Sequence, residues 1–311
     1  MKLIIQIPCY NEEESLPVTL AQLPRKVEGF DEVEWLIIDD GSTDNTVEVA
    51  RTFGVDHIVC LTRNSGLAKA FMVGLRACLK NGADVIVNTD ADNQYHAGDI
   101  PKLVAPILSG RAEIVIGARP IDSIDHFSRT KKVLQKIGSW VVRLASGTSI
   151  PDAPSGFRAI SAGAANSLNF FSRYTYTLEM IIQAGQKGIH LTWVPVRTNP
   201  EVRPSRLMRN MPHYIFNSLV TIIRIFVTYR PFRFFFFLGV IMMIVGGLIG
   251  MRFIFYNLIV GKNAGMIQSL ILASIFIGMG FQTIVLALVA DLLSVNRRLL
   301  ERINGKLHQQ E

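Results

Sequence analysis

Two long apolar runs near the end of the chain constrain it more than any other feature. Residues 234–259 (FFFFLGVIMMIVGGLIGMRFIFYNLI) carry one charge in 26 positions, and residues 266–290 (MIQSLILASIFIGMGFQTIVLALVA) carry none in 25. A bilayer core of ~30 Å takes about 20 apolar residues as helix, so each run is long enough to span it. Residues 1–230 contain no comparable run. The pattern excludes a purely soluble protein and a many-pass transporter. It leaves a domain of ordinary size on a two-helix membrane anchor.

Charge and cysteine usage narrow the setting. The net charge is +7. The basic residues crowd 197–233 and 297–306, beside the spans, which is the signature of a membrane or phosphate surface. No base-stacking motif or basic recognition helix accompanies them, so no nucleic-acid partner is expected. Cys9, Cys60 and Cys78 are scattered, odd in number and without metal-ligand spacing. They read as reduced thiols. The first apolar stretch, LIIQIP, is too short for a signal-peptide core, and NEEE follows at once. Arg224, Arg230 and Arg233 precede the first span, and Arg297, Arg298, Arg302 and Lys306 follow the second. The ~6-residue connection carries only Lys262. The positive-inside rule then puts both termini and the preceding domain in the cytoplasm. Gly246 and Gly250 form a GxxxG pair that permits close helix packing, and with the interfacial segment it invites a homo-oligomer.

The first half alternates short apolar runs with helical patterns. LIIQIP (3–8), EWLIID (34–39), DHIVCL (56–61), DVIVNT (84–89) and EIVIGA (113–118) are continuously apolar, as parallel strands buried on both faces must be. Helical segments lie between them at 12–27, 44–53, 66–81 and 98–109, with Asp44 and Gly82 as cap residues. This alternation predicts a doubly wound α/β domain with a mostly parallel sheet. Its ligands would bind outside the carboxyl ends of the strands. Further on, the patterns predict an amphipathic basic helix at 128–147, a loop at 150–160, one or two helices within 161–188 and a last strand at 189–196. The expected divisions are a domain at 1–206, interfacial amphipathic helices at 207–232, the anchor at 233–291 and a basic, helical tail at 292–311.

Three polar clusters follow the predicted strands. The most informative is Asp90-Ala-Asp92-Asn-Gln94 after DVIVNT. Two carboxylates one residue apart can share a hard cation such as Mg²⁺ or Mn²⁺ while that cation holds phosphate oxygens. Pro8-Cys9-Tyr10-Asn11-Glu12 follows the first strand, and Asp39-Asp40-Gly41-Ser42-Thr43-Asp44 follows the second. A tyrosine ring can stack on a base, and a carboxylate can accept from a base edge or a ribose. Each cluster alone is also what a capped strand–helix turn looks like. Three of them at successive strand ends are harder to ascribe to chance.

Taken together, IPCYNEE, IDDGSTDNT, RNSGLAKA and DADNQ resemble the nucleotide-sugar half of the inverting family 2 glycosyltransferases. GAR (117–119), the basic helix, DAPSGFR (152–158) and RPSRL (203–207) narrow the resemblance to the polyprenyl-phosphate sugar transferases, the group that contains dolichol-phosphate mannose synthase. The likeness covers roughly residues 2–230. It implies a GT-A fold and a nucleotide-sugar donor, UDP- or GDP-linked. By the same resemblance, Pro8, Tyr10 and Glu12 line the nucleotide, Asp40 reads the base edge and Asp90 holds the nucleotide-sugar side. Asp92 and Gln94 bind Mg²⁺ or Mn²⁺. Arg119 and Lys131 receive a lipid phosphate, and Arg203 and Arg206 close over the phosphates. Asp92, Arg119, Lys131 and Arg206 are thereby the catalytic candidates. The chain departs from the group's pattern at Gln135, where the group often has Ser, and at Arg203-Pro204-Ser205-Arg206, where it commonly has Gly before Ser-Lys.

The chemistry of such an acceptor agrees with the composition. A sugar hydroxyl needs a general base. A lipid monophosphate is already an anion near neutral pH, with a second pKa of about 6, and needs cations instead. Arg119, Arg129, Lys131, Lys132, Arg158, Arg203 and Arg206 can supply them, although Arg129 and Lys132 read better as a solvated or headgroup-binding face. His96 reads as a loop residue, and His57 and His190 as structural. Glu179 is either a base for a hydroxyl acceptor or a structural partner, and Asp152 either anchors its loop or touches the acceptor. The alternative functions are a family 2 enzyme acting on a hydroxyl acceptor, lipid or polysaccharide, and a non-catalytic membrane scaffold. Processive synthases usually carry Gln-x-x-Arg-Trp and more spans, and neither feature is present here.

Overall fold

The computed structural model describes residues 1–120, 129–168, 176–200, 220, 223–224, 227, 230–258 and 267–307. The chain divides into two compact units, Met1–Leu219 and Val220–Glu311.

The first unit is built on a seven-stranded sheet: β1 (Lys2–Cys9), β2 (Glu32–Asp39), β3 (His57–Cys60), β4 (Val85–Asn88), β5 (Ile114–Ala118), β6 (Arg158–Ser161) and β7 (Leu191–Pro195). The strand order is β3-β2-β1-β4-β6-β5-β7. β6 runs antiparallel to both β4 and β5, and every other pairing is parallel. The order reverses between β1 and β4, the switch point at which such sheets open a crevice. The carboxyl ends of six strands and the start of β6 therefore share one edge.

Burial on both faces explains the continuously apolar strands. Leu3, Ile5 and Ile7 of β1 pack into one core cluster with α1 (Leu16–Gln22) and α4 (Ile100–Leu108). Ile4, Leu36, Ile38 and Ile86 face the other, with α3 (Leu67–Lys80), α6 (Ala162–Ser167) and α7 (Thr177–Lys187). The α3 stripe Ala70, Phe71, Gly74, Leu75 and Cys78 is buried, as a 3.6-residue period requires. α2 (Thr46–Thr52) follows β2.

Three sequence expectations change. The helix expected over 12–27 is only Leu16–Gln22, because Leu23 turns extended before Pro24 (φ −70°, ψ 135°), as a residue preceding proline tends to. The expected cap Asp44 lies one residue before the N-cap position, Asn45, and bonds the Thr46 and Glu13 amides instead. The loop expected over 150–160 ends in a strand. β6 (Arg158–Ser161, RAIS) is four residues long and opens on an arginine, so it presents no apolar run. The basic helix α5 (Arg129–Ser146) forms as expected. Ile137, Trp140 and Leu144 stand exposed along it, spaced as one helical face.

In the second unit, α8 (Pro231–Leu258) and α9 (Ile267–Leu307) are both long and apolar enough to cross a membrane. Their packing uses small residues in antiparallel register. A Cβ on Gly280 would lie 2.8 Å from the Gly239 carbonyl oxygen and 2.6 Å from Met243 Cγ, and one on Gly246 would lie 2.9 Å from the Ala273 carbonyl. Gly239 and Gly246, seven apart, thus meet Gly280 and Ala273, also seven apart. Gly250 has only Ala273 Cβ near it, at 3.8 Å. Gly239 therefore pairs with Gly246 in this seam, where the GxxxG pattern pointed to Gly250. The outward faces, such as Leu248, Met251 and Phe281, are exposed apolar side chains. At ~1.5 Å per residue the 41 residues of α9 span about 61 Å. That is twice the ~30 Å of a hydrocarbon core, so the tail continues the helix of the second span. The interfacial segment expected at 207–232 lies largely outside the described residues.

Overpacking this seam should weaken the unit. Gly280→Leu is expected to lower the stability of the α8–α9 pair by about 1–3 kcal/mol, read as a lower melting temperature in detergent, whereas Gly278→Leu, at a position with open space around its Cβ, should leave it unchanged.

Candidate active site

Five loops converge at the carboxyl edge of the sheet. After β1, Tyr10 is 40% exposed and Asn11 adopts a left-handed conformation (φ 53°). Asn11 is clamped to the loop after β2: its amide donates to Ser42 Oγ (2.9 Å) and its Oδ1 accepts from the Thr43 amide (2.8 Å). The Glu12 amide donates to Thr46 Oγ1 (2.8 Å), and Glu12 Oε2 accepts from the Ser15 hydroxyl. A groove of about 240 Å³ lies among Asn11–Ser15, Thr43 and Asp44. Pro8 is buried within β1. Asp40 is also buried, and its two carboxylate oxygens accept from the amides of Ser65 (2.8 Å) and Gly66 (2.9 Å). In this arrangement Asp40 shapes the turn into α3.

Asp90 and Asp92 follow β4, both half-buried. Burial and the neighbouring Asp92 carboxylate push the Asp90 pKa up to about 7. Asp92 Oδ1 accepts from the Gln94 amide (3.1 Å). Between them Asn93 is buried and left-handed (φ 58°). Among the described residues no cluster of three His, Cys, Asp or Glu side chains could hold a metal by itself. The donor set still fits a hard divalent cation. Its atoms are oxygens, its charge is in excess, and one or two carboxylates completed by substrate phosphates is how Mg²⁺ is commonly held.

The wall opposite Asp90 is the segment entering β6. A Cβ on Gly156 would lie 2.8 Å from both Asp90 carboxylate oxygens, so any side chain there would displace the Asp90 carboxylate. The Gly156 amide donates to the Tyr95 hydroxyl (2.8 Å), and Tyr95 stacks on Phe157 (centroids 5.1 Å apart). Ser155 Oγ donates to the Gly117 carbonyl (2.6 Å). Arg158 is fully buried and donates to the carbonyls of Ser155, Ala153 and Thr177. It is therefore a core residue and not a cation presented to an acceptor.

Arg119, after β5, links this wall to the Asp90–Gln94 loop. Its side chain is 6% exposed and forms a bidentate pair with Asp152, Nε to Oδ2 at 2.7 Å and Nη2 to Oδ1 at 3.0 Å. Its backbone amide donates to the same carboxylate, and Nη1 donates to Gln94 Oε1 (3.2 Å). Arg119 and Gln94, expected in one site, are thus in contact. The Arg119 charge is met by Asp152, the loop-anchor alternative for that residue. Lys131 lies on α5, but its side chain is outside the described residues, as are Arg203 and Arg206. Glu179 is buried on α7. His96 caps a short 3₁₀ turn through Nδ1, and His57 pairs with Glu34 (2.8 Å), so both read as structural. Asp99, fully buried, opposes the cost of burial with bonds from Arg197 and Lys102, which hold its carboxyl well below the usual carboxylate range.

Truncating the Arg119–Asp152 pair leaves a buried charge alone. Arg119→Ala is expected to destabilise the first unit by about 3–5 kcal/mol, and Arg119→Ala with Asp152→Ala by less than the sum of the two single changes, measured by denaturant unfolding.

The comparisons with known proteins agree with this geometry. Residues 4–168 match the profile of "Glycosyl transferase family 2". An undecaprenyl-phosphate mannosyltransferase of Micrococcus luteus is 30% identical over 206 residues, covering 63% of this chain and 83% of that protein. A UDP-N-acetylglucosamine–dolichyl-phosphate N-acetylglucosaminyltransferase of Methanococcus voltae is 29% identical over 214 residues, covering 62% and 83%. Among solved structures, glucosyl-3-phosphoglycerate synthase from Mycobacterium tuberculosis, in complex with Mn²⁺, UDP and phosphoglyceric acid, superposes with a TM-score of 0.56 at 21% identity. That match covers 71% of this chain and 78% of that one, which is a likeness of fold. With a family match that spans more than half of its length and carries the Asp90–Gln94 loop at the sheet edge, the chain belongs to glycosyl transferase family 2.

Proposed function

We propose that this glycosyltransferase moves a sugar from a nucleoside-diphosphate sugar to a membrane polyprenyl phosphate, undecaprenyl or dolichyl, with inversion at the anomeric carbon. The observation that carries the reading is the crowded carboxylate pair Asp90 and Asp92 at the switch edge of the sheet, in a chain with two membrane-length helices. The polyprenyl-phosphate and dolichyl-phosphate acceptors of the relatives support the acceptor class.

In this reading Tyr10, Pro8 and Glu12 line the nucleotide. Asp40 fixes the adjoining turn and approaches the base edge, and Asp90 faces the donor sugar. Asp92 and Gln94 would hold Mg²⁺ or Mn²⁺, which when bound neutralises charge on the departing nucleoside diphosphate. Lys131, Arg203 and Arg206 meet the lipid phosphate, while Arg119, paired with Asp152, steadies Gln94 on the cation side. These fixed charges would favour the loose, anionic transition state. The phosphate oxygen forms the new bond to the anomeric carbon as the bond to the diphosphate oxygen breaks. That nucleophile is already an anion and needs no general base. The exposed stripe Ile137, Trp140 and Leu144 on basic α5 suits a helix lying on a lipid surface.

The test is transfer by purified protein in detergent, with divalent cation and a panel of UDP- and GDP-linked sugars, to polyprenyl phosphate and to the matching polyprenol. Glycolipid should form only from the phosphate, Asp92→Asn should lower turnover by orders of magnitude, and the panel identifies the base and sugar. Equal transfer to polyprenol would transfer the reading to a hydroxyl-acceptor enzyme.

We further infer that both termini are cytoplasmic, from seven basic residues flanking the spans against Lys262 alone in the connection. A cysteine placed in 260–265 should be labelled from outside the cell, and one in the tail should not; the opposite pattern reverses the orientation.

A further inference from the structure

One residue far along the chain captures three successive carbonyls of the cation loop. Asn199 follows β7, the strand next to β5. Its side-chain Nδ2 lies 3.0 Å from the Asn93 carbonyl and 3.3 Å from the Tyr95 carbonyl. Its backbone amide donates to the Gln94 carbonyl between them, at 2.9 Å. The amide group also lies near Gln22 Oε1 (3.2 Å) and Asn93 Oδ1 (3.3 Å). Three N–H groups of one residue thus match the carbonyls of residues 93, 94 and 95.

The same strip is fastened on either side of Asn199. Tyr95 bridges Thr198, and the His96 amide donates to the Arg197 carbonyl (3.2 Å). Arg197 itself is held on the buried Asp99, its backbone N–H donating to Oδ2 at 2.7 Å and Nη2 to Oδ1 at 2.8 Å. The segment held in this way contains Asn93, whose left-handed backbone asparagine tolerates better than other L residues. Asp92 and Gln94 flank Asn93, so their relative placement depends on that backbone.

We infer that Asn199 is a positioning residue for the cation: by holding the carbonyls of Asn93, Gln94 and Tyr95 it fixes the spacing of Asp92 and Gln94. The inference rests on the proposed cation role of those two residues. Arg203, a proposed phosphate contact, lies four residues further along the chain, so the strip that orders the cation loop also leads into the late basic motif.

The test is an equilibrium titration of the full-length protein in detergent with MnCl₂, following free Mn²⁺ by its paramagnetic resonance, in separate arms with saturating UDP and GDP. Melting temperature without Mn²⁺ is measured alongside. Asn199→Ala should weaken Mn²⁺ binding by about 10- to 100-fold, the usual effect of losing a group that orients a ligand. Asn199→Asp, isosteric but setting an acceptor against carbonyls, should weaken it at least as much. Should neither fold, Asn199→Gln keeps the donors and displaces them by one methylene, and a several-fold loss is expected. A lower melting temperature with an unchanged Mn²⁺ dissociation constant in these variants would mean a purely structural role and overturn the inference. Asp92→Asn is the control: wild-type Mn²⁺ binding there would overturn the cation reading itself, whereas loss in Asp92→Asn with retention in Asn199→Ala overturns only the role of Asn199.

Discussion

The close approach of the Asp90 carboxylate to Gly156, where a Cβ would lie 2.8 Å from both of its oxygens, is the constraint on which this wall of the site depends. A carboxylate can approach a backbone so closely only where no Cβ stands in the way, and only if the backbone is held rigidly. β6 supplies that rigidity by entering the sheet antiparallel between β4 and β5. Asn88, fully buried on β4, donates to the Gly156 carbonyl (2.9 Å), while its Oδ1 accepts from Gln6 of β1 (2.9 Å). Tyr95 accepts the Gly156 amide from the other side. Both polar groups of Gly156 are thereby satisfied, which matters because an unmet buried group costs about 1–3 kcal/mol.

Charge in this region is divided into two kinds. Arg158 and the Arg119–Asp152 pair are spent inside the protein: one guanidinium on carbonyls, the other on a carboxylate that is 1% exposed. Such groups hold geometry more than they add stability, because desolvation offsets most of the attraction. Asp90 and Asp92 are the opposite case. Burial and mutual repulsion leave Asp90 titrating at about 7, so near neutral pH the free site balances proton against charge. A divalent cation, like a proton, relieves that repulsion, whereas a diphosphate alone would add to it. Such a site favours a ligand that brings its own countercharge, which is what a metal-bound nucleotide sugar is.

The parts legible in the sequence are those in which one residue type repeats a simple rule. β1, β2, β4 and β5 are mainly apolar runs, and α8 and α9 are long ones, so each declares itself locally. The Asp90–Gln94 loop is visible because two carboxylates one residue apart suit a hard cation. β6 is not, since Arg158 looks like a surface cation until the carbonyls of Ala153, Ser155 and Thr177 are seen around it. Asp152 carried a motif but two readings, which only its distance to Arg119 separates. Asn199 carried no signal at all: its partners lie more than 100 positions away, and an asparagine before a proline reads as a plain turn.

The same division of charge bears on the acceptor. In the proposed reaction the nucleophile arrives with its negative charge already formed, so the site must supply positive charge rather than remove a proton. Arg119 alone serves that need poorly, because Asp152 neutralises it at contact distance and a field from such a pair falls off as a dipole. Its contact with Gln94 suits it instead to steady the cation side of the site. In that proposal the charge that meets the lipid headgroup is left to Lys131 on α5 and to Arg203 and Arg206, later in the sequence than Asn199. These cations belong to the two stretches that the sequence makes both basic and partly apolar. A phosphate whose tail stays in the bilayer can be reached only from residues near that boundary. The proposed reaction thus assigns donor chemistry to the rigid edge of the sheet, and acceptor recognition to the segments that share their composition with a membrane surface.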